Sequence, residues 1–209
     1  MAAARGDLFT TIHKGLRSMI YSLSGRLQTH DFGDVEATRA LITDLESDFA
    51  IARSAGCIVC VLNSHAAEEE TVIFPPASRL GNGLVPQLVE EHHALTRREL
   101  ALAEEAHALL SMGAAEERVT AGMRLNRNAN ELFGAYLTHM NREETELVPL
   151  MQQHFTDEQM GTMRSAIIGK MPPDRLFVLL SWMLPSLNVS ELSNLTRLLR
   201  ESQFSDENE

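Results

Sequence analysis

Apolar residues in this chain recur at steps of three and four over long segments, a period that a helix can bury on one face. The first stripe reads Phe9, His13, Leu16, Ile20, Leu23 and Leu27, and stops near His30 to Gly33. A second helix should start at Asp34, a good N-cap. It carries Ile51, Ala55, Ile58, Leu62, His65, Glu69 and Val72, and Pro75-Pro76 is expected to end it. The third takes Pro86 in its first turn and reads Leu88, His92, Leu95, Glu99, Leu102, Ala106 and Leu109, with Gly113 at the turn beyond. The fourth reads Leu125, Ala129, Leu132, Tyr136, His139, Glu143, Leu147 and Leu150, and Pro149 should kink or end it. Short Val/Ile runs occur only inside these segments. The pattern predicts an all-α fold, an antiparallel up-down four-helix bundle over residues 1–156. The stretch from His13 to His65 is longer than that from His92 to His139, so the second helix should overhang the bundle or break near Gly56.

Beyond the bundle the character changes. Thr156 and Gln159 read as a capping box opening a short helix, and Met171-Pro172-Pro173 breaks it. Arg175 to Leu184 and Glu191 to Arg200 read as two more short helices, with an acidic tail. Residues 157–209 are therefore expected to form a helical extension that packs on the bundle or serves in a homodimer.

The stripes hold six ionisable residues where apolar ones belong: His13, His65, Glu69, His92, His139 and Glu143. Burying them without partners would be very costly. His13 and His92 lie near the starts of their helices, His65 and His139 toward the ends of theirs. In an up-down bundle these places meet at one level. A repeat supports this: His65-Ala-Ala-Glu-Glu-Glu-Thr-Val-Ile-Phe-Pro matches His139-Met-Asn-Arg-Glu-Glu-Thr-Glu-Leu-Val-Pro at the His, at both Glu69/Glu143 and Glu70/Glu144, at the Thr and at the Pro. His13-x-x-Leu16 and His92-x-x-Leu95 echo each other likewise. Two copies of one helical hairpin, each with a lone His and a His-x-x-x-Glu, would set two equivalent metal ions side by side. Residues i and i+4 share a helix face, so each His and its Glu can reach one centre. A carboxylate has two oxygens and can bridge two metals, while imidazole suits Fe, Cu or Zn.

Composition narrows the class. The formal charge of −11 argues against nucleic acid or an anionic membrane as the main partner. No apolar run approaches the roughly 20 residues of a membrane span, the first residues lack a signal-peptide pattern, and two Cys make no disulfide framework. A cytoplasmic protein is the expectation.

The chain resembles the hemerythrin-like, or HHE cation-binding, domains. The residues carrying the resemblance are Ile12-His13-Lys14, His65-x-x-x-Glu69 with Phe74-Pro75, Glu91-His92, and His139-x-x-x-Glu143-Glu144 with Pro149-Leu150, across about residues 8–155. The resemblance implies a non-haem di-iron centre, oxo- or hydroxo-bridged, with Glu69 and Glu143 bridging and the four His terminal. Oxygen-carrying hemerythrins have a further His four residues beyond the first on helix three, where this chain has Thr96. Their last carboxylate lies five residues after its His, here four. The pattern is closer to four-His, two-Glu members linked to iron–sulfur repair under nitrosative stress and to iron or oxygen sensing. The implied function is reaction with, or sensing of, oxygen, peroxide or nitric oxide. A non-catalytic iron or oxygen sensor and an oxygen carrier remain the alternatives.

Other chemistry-bearing residues take blander readings. Cys57-x-x-Cys60 sits in an apolar helical run and reads as buried structural thiols. His92 shares its stripe with Leu88 and Leu95, which leaves His93 to the surface or to a supporting hydrogen bond. His154-x-x-x-Glu158 crosses a helix boundary, so the match is coincidental, with His154 at most a supporting group. His30 and His107 read as surface residues, and Glu70, Glu144 and Glu146 as solvated or as supports of the ligands.

Overall fold

The structure, a computed structural model, describes residues 5–49, 61–81 and 83–196. Asp7 accepts hydrogen bonds from the backbone N–H groups of Phe9 (2.8 Å) and Thr10 (3.1 Å), and the chain turns there into α1, Thr10–Thr29. Asp34 caps α2, Val35–Phe49, through the N–H groups of Glu36 and Ala37, each 3.0 Å from its carboxylate. The second stripe resumes in α3, Val61–Glu68. Its earlier part (Ile51, Ala55, Gly56, Cys57, Ile58 and Cys60) lies outside the described residues. The longest helices among the described residues are α5, Leu84–Leu109, and α6, Ala115–Arg142. All regular structure among the described residues is helical.

The prolines do not end the second and fourth helices. Each helix instead widens into one π turn, Glu69–Ile73 and Glu143–Leu147. Each then continues as α4, Phe74–Ser78, and α7, Val148–His154, with proline in the first turn. Proline cannot donate to the carbonyl four residues back and its ring crowds it. The wider turn absorbs that defect: the N–H groups of Phe74 and Val148 reach back five residues to the carbonyls of Glu69 and Glu143. The extra residue also moves the stripe on by one. Ile73 and Phe74 are buried where the spacing placed Val72, and Met151 is buried while Leu150 is only half-buried.

The core is split into two apolar clusters. One contains Leu16 of α1, Leu62 of α3, Leu95 of α5 and Tyr136 of α6. The other contains Phe9, Ile73, Phe74, Leu88, Leu147 and Met151. On each of the four helical paths the expected site residues lie between a member of one cluster and a member of the other.

The capping box at Thr156–Gln159 opens α8, Asp157–Ile168, whose Met160 joins the second cluster. Next, α9, Pro173–Met183, lies against α1, with Leu179 in the first cluster. Gly15 permits this approach, since a Cβ there would stand 3.1 Å from backbone atoms of Met183. Lys14–Glu191 (2.6 Å) and Ser18–Ser186 (2.7 Å) fasten the contact, and residues 189–196 are again helical. At the end of the first cluster, buried Arg118 of α6 donates to the carbonyls of Phe32 (3.1 Å), Gly33 (2.7 Å) and Met112 (2.9 Å). No helix among the described residues is long and apolar enough to cross a membrane.

Candidate metal centre

The six residues singled out by the stripes converge in the layer between the clusters. His13, Glu69, His92, His139 and Glu143 are buried, and the His65 side chain is 13% exposed. The imidazoles form two pairs: Nε2 of His13 lies 3.1 Å from that of His65, and Nε2 of His92 lies 2.7 Å from that of His139.

Each carboxylate divides its two oxygens between those pairs. Glu69 sets Oε1 2.9 Å from His65 and 3.8 Å from His13, and Oε2 3.3 Å from His92. Glu143 sets Oε1 3.2 Å from His139 and 3.9 Å from His92, and Oε2 3.4 Å from His13. None of these four buried oxygens makes a hydrogen bond of good geometry, although buried polar atoms are nearly always satisfied. Nitrogen and oxygen donors therefore face one another across a shared space, in two overlapping groups. One is Glu69, His92, His139 and Glu143; the other is His13, His65 and Glu69. Such a set fits cations better than it fits itself.

The opposite ring nitrogens are held from behind. Nδ1 of His13 lies 2.9 Å from Glu144, which Arg17 grips at 2.7 Å. Nδ1 of His92 lies 2.9 Å from Glu70, and Nδ1 of His139 lies 2.8 Å from Glu91, itself paired with Arg142. A carboxylate on Nδ1 fixes the tautomer that turns an Nε2 lone pair toward the centre. Phe74 stacks on His92 at 5.3 Å and Phe9 lies against His13 at 5.6 Å, closing the layer on the second cluster's side.

Within the layer the buried acids and imidazoles act strongly on one another. Burial pushes His13 down, but the nearby carboxylates of Glu143, Glu144 and Glu69 outweigh it and hold the imidazole well above its ordinary range. Burial likewise opposes the proton on His139, which Glu143 and Glu91 hold up to about 9. Glu69 would be raised by burial, yet the charge of His65 and contacts with His13, His65 and His92 keep it well below the usual carboxylate range. Glu144 falls to about 2, burial being outweighed by His13 and Arg17.

The expectation that Glu70 and Glu144 either face solvent or support ligands resolves to support. Glu91, Arg142 and Arg17 add to it and were not singled out by the stripes. Glu91 adjoins His92 in sequence but serves His139 on another helix, which no local spacing reveals. His93 and His154 are exposed and outside the layer, and Phe155 is extended between His154 and Glu158. Glu146 pairs with Arg142 at 3.0 Å, and His30 is half-buried against Phe32 and Thr38 rather than on the surface.

A family model described as hemerythrin HHE cation binding domain matches residues 5–151, more than two thirds of the chain. No curated protein and no solved structure matches significantly.

Proposed function

Because the chain belongs to the hemerythrin HHE cation-binding domain family, we propose that its central layer holds two iron ions in a non-haem di-iron centre. His13 and His65 would bind one ion, His92 and His139 the other, and Glu69 and Glu143 would bridge them. The observation that carries this reading is the division of each buried carboxylate between two imidazole pairs. Carboxylate oxygens with imidazole nitrogens suit iron in either common valence. The bundle reading draws support from chain direction. Phe9 precedes His13 and Leu88 precedes His92, whereas Ile73 and Leu147 follow Glu69 and Glu143, and all four belong to one cluster. Alternating directions are those of an up-down antiparallel bundle.

When bound, the ions supply redox and ligand-binding chemistry toward oxygen, peroxide or nitric oxide. The chain's own part is positioning and exclusion. Glu144, Glu70 and Glu91 orient three imidazoles, and Phe9, Ile73, Phe74, Leu88 and Leu147 keep bulk water from one side of the layer. Six protein ligands leave positions for a small external ligand. Metal analysis and optical spectra of anaerobically purified protein, before and after oxygen, test this. Two irons per chain with prompt spectral change are expected; absence of tight metal would refute the reading, and stable reversible oxygenation would identify a carrier instead. A sensor role is favoured by one contact: Arg175 of α9 reaches Glu68, beside Glu69, at 2.8 Å. Iron-dependent partner affinity without peroxide or nitric oxide consumption would establish it.

A further inference from the structure

The two halves of the layer are related by the repeat, and the relation fails at two places. Counterparts such as Glu144 behind His13 and Glu70 behind His92 stand at the same 2.9 Å. The residue before His92 is Glu91, which accepts from His139; the residue before His13 is Ile12. Among the described residues no carboxylate stands behind His65 in the way Glu91 stands behind His139. Three residues after His139 comes Arg142, which pairs with Glu91. Three residues after His65 comes Glu68, a carboxylate that is taken up by Arg175 of α9 at 2.8 Å. The consequences show in burial: the side chain of His139 is 5% exposed and that of His65 is 13% exposed.

We propose that the two metal positions are inequivalent: the His92/His139 position fills first and releases last, and the His13/His65 position is the exchangeable one. This rests on the two-cation reading above. An imidazole held by a carboxylate on Nδ1 is more basic at Nε2 and loses less orientational freedom on binding. Removing such a partner costs about 10- to 100-fold in metal affinity. The fold applies that loss to one half only. It does so through Ile12, an apolar residue on the α1 face where the other hairpin has an acid. It also engages Glu68 with a helix from outside the repeat.

The test is metal release from the full chain, loaded anaerobically with ferrous iron and mixed with excess ferrous chelator. Two phases of one iron each are expected, separated by about 10- to 100-fold in rate. His65→Ala should abolish the fast phase and retain one slowly released iron. Glu91→Gln should accelerate the slow phase several-fold and leave the fast one. Ile12→Glu should slow the fast phase; because that variant adds a half-buried acid and can fail to fold, the first two decide. Release of both irons at one rate, or acceleration of the fast phase by Glu91→Gln, would overturn the inequivalence and leave the two-iron reading standing. A chain that binds no iron overturns the two-iron reading and this inference with it.

Discussion

Two places among the described residues bury charge and handle it in opposite ways. Arg118, 4% exposed, meets the carbonyls of Phe32, Gly33 and Met112, so its charge is fully spoken for within the chain. Glu69 and Glu143, at most 1% exposed, have four oxygens without a well-formed hydrogen bond, facing imidazole nitrogens that pair with one another. A buried charge whose partners are built in is a fastening, and losing it costs stability. One whose partners are not built in marks a place where the sequence has given up stability for something it must bind.

The largest effects should separate the two places. Glu69→Ala or Glu143→Ala should each lower iron affinity by more than about 100-fold, measured as iron per chain after gel filtration, while far-UV circular dichroism stays helical. Unchanged iron in both variants would remove the bridging role. Arg118→Ala should cost about 3 kcal/mol in denaturant unfolding and leave iron per chain unchanged in the folded protein; loss of iron there would mean the ends are not independent. Gly122→Ala sharpens the same end by sterics. Its Cβ would lie 2.1 Å from the Phe32 ring, and overpacking of that kind costs about 1–3 kcal/mol.

A smaller effect comes from His30, where burial outweighs the nearby carboxylates of Asp31 and Asp34 and lowers the imidazole below its ordinary value of 6.5. The unfolded chain therefore takes the proton first as pH falls. Stability should decline as pH drops below about 6.5 and level off once the folded imidazole also titrates. His30→Gln should flatten that part of the pH profile; an unchanged slope would assign it elsewhere. The smallest effect is none: His93→Ala and His154→Ala should keep full iron content, because both side chains are exposed and outside the layer.

The six convergent residues were legible from sequence because helical period fixes which side of a helix a residue occupies. An ionisable group on an apolar stripe then announces itself as His13 or Glu143 does. The duplicated His-x-x-x-Glu made each His and the Glu that shares its face legible as a pair. What followed the prolines was not. Pro75 and Pro149 read as terminators by local rules, but neighbouring helices kept both paths straight enough to continue through a π turn. Burial therefore shifted from Val72 to Ile73 and from Leu150 to Met151. Local defects of one hydrogen bond are small beside the apolar area that continued packing buries.

The sequence by itself determined the helical stripes, the level along each helix at which polar groups sit, and the identity of the convergent donors, since each depends on spacing along one helix. Only the tertiary structure decided which acid stands behind which imidazole. Glu144 lies 131 residues from His13, Glu91 lies 48 from His139, and Arg175 comes to Glu68 from a helix outside the repeat. Those partnerships are set by how helices pack against one another, which spacing within a single helix does not encode. They are also what makes two halves of a near-repeat unequal.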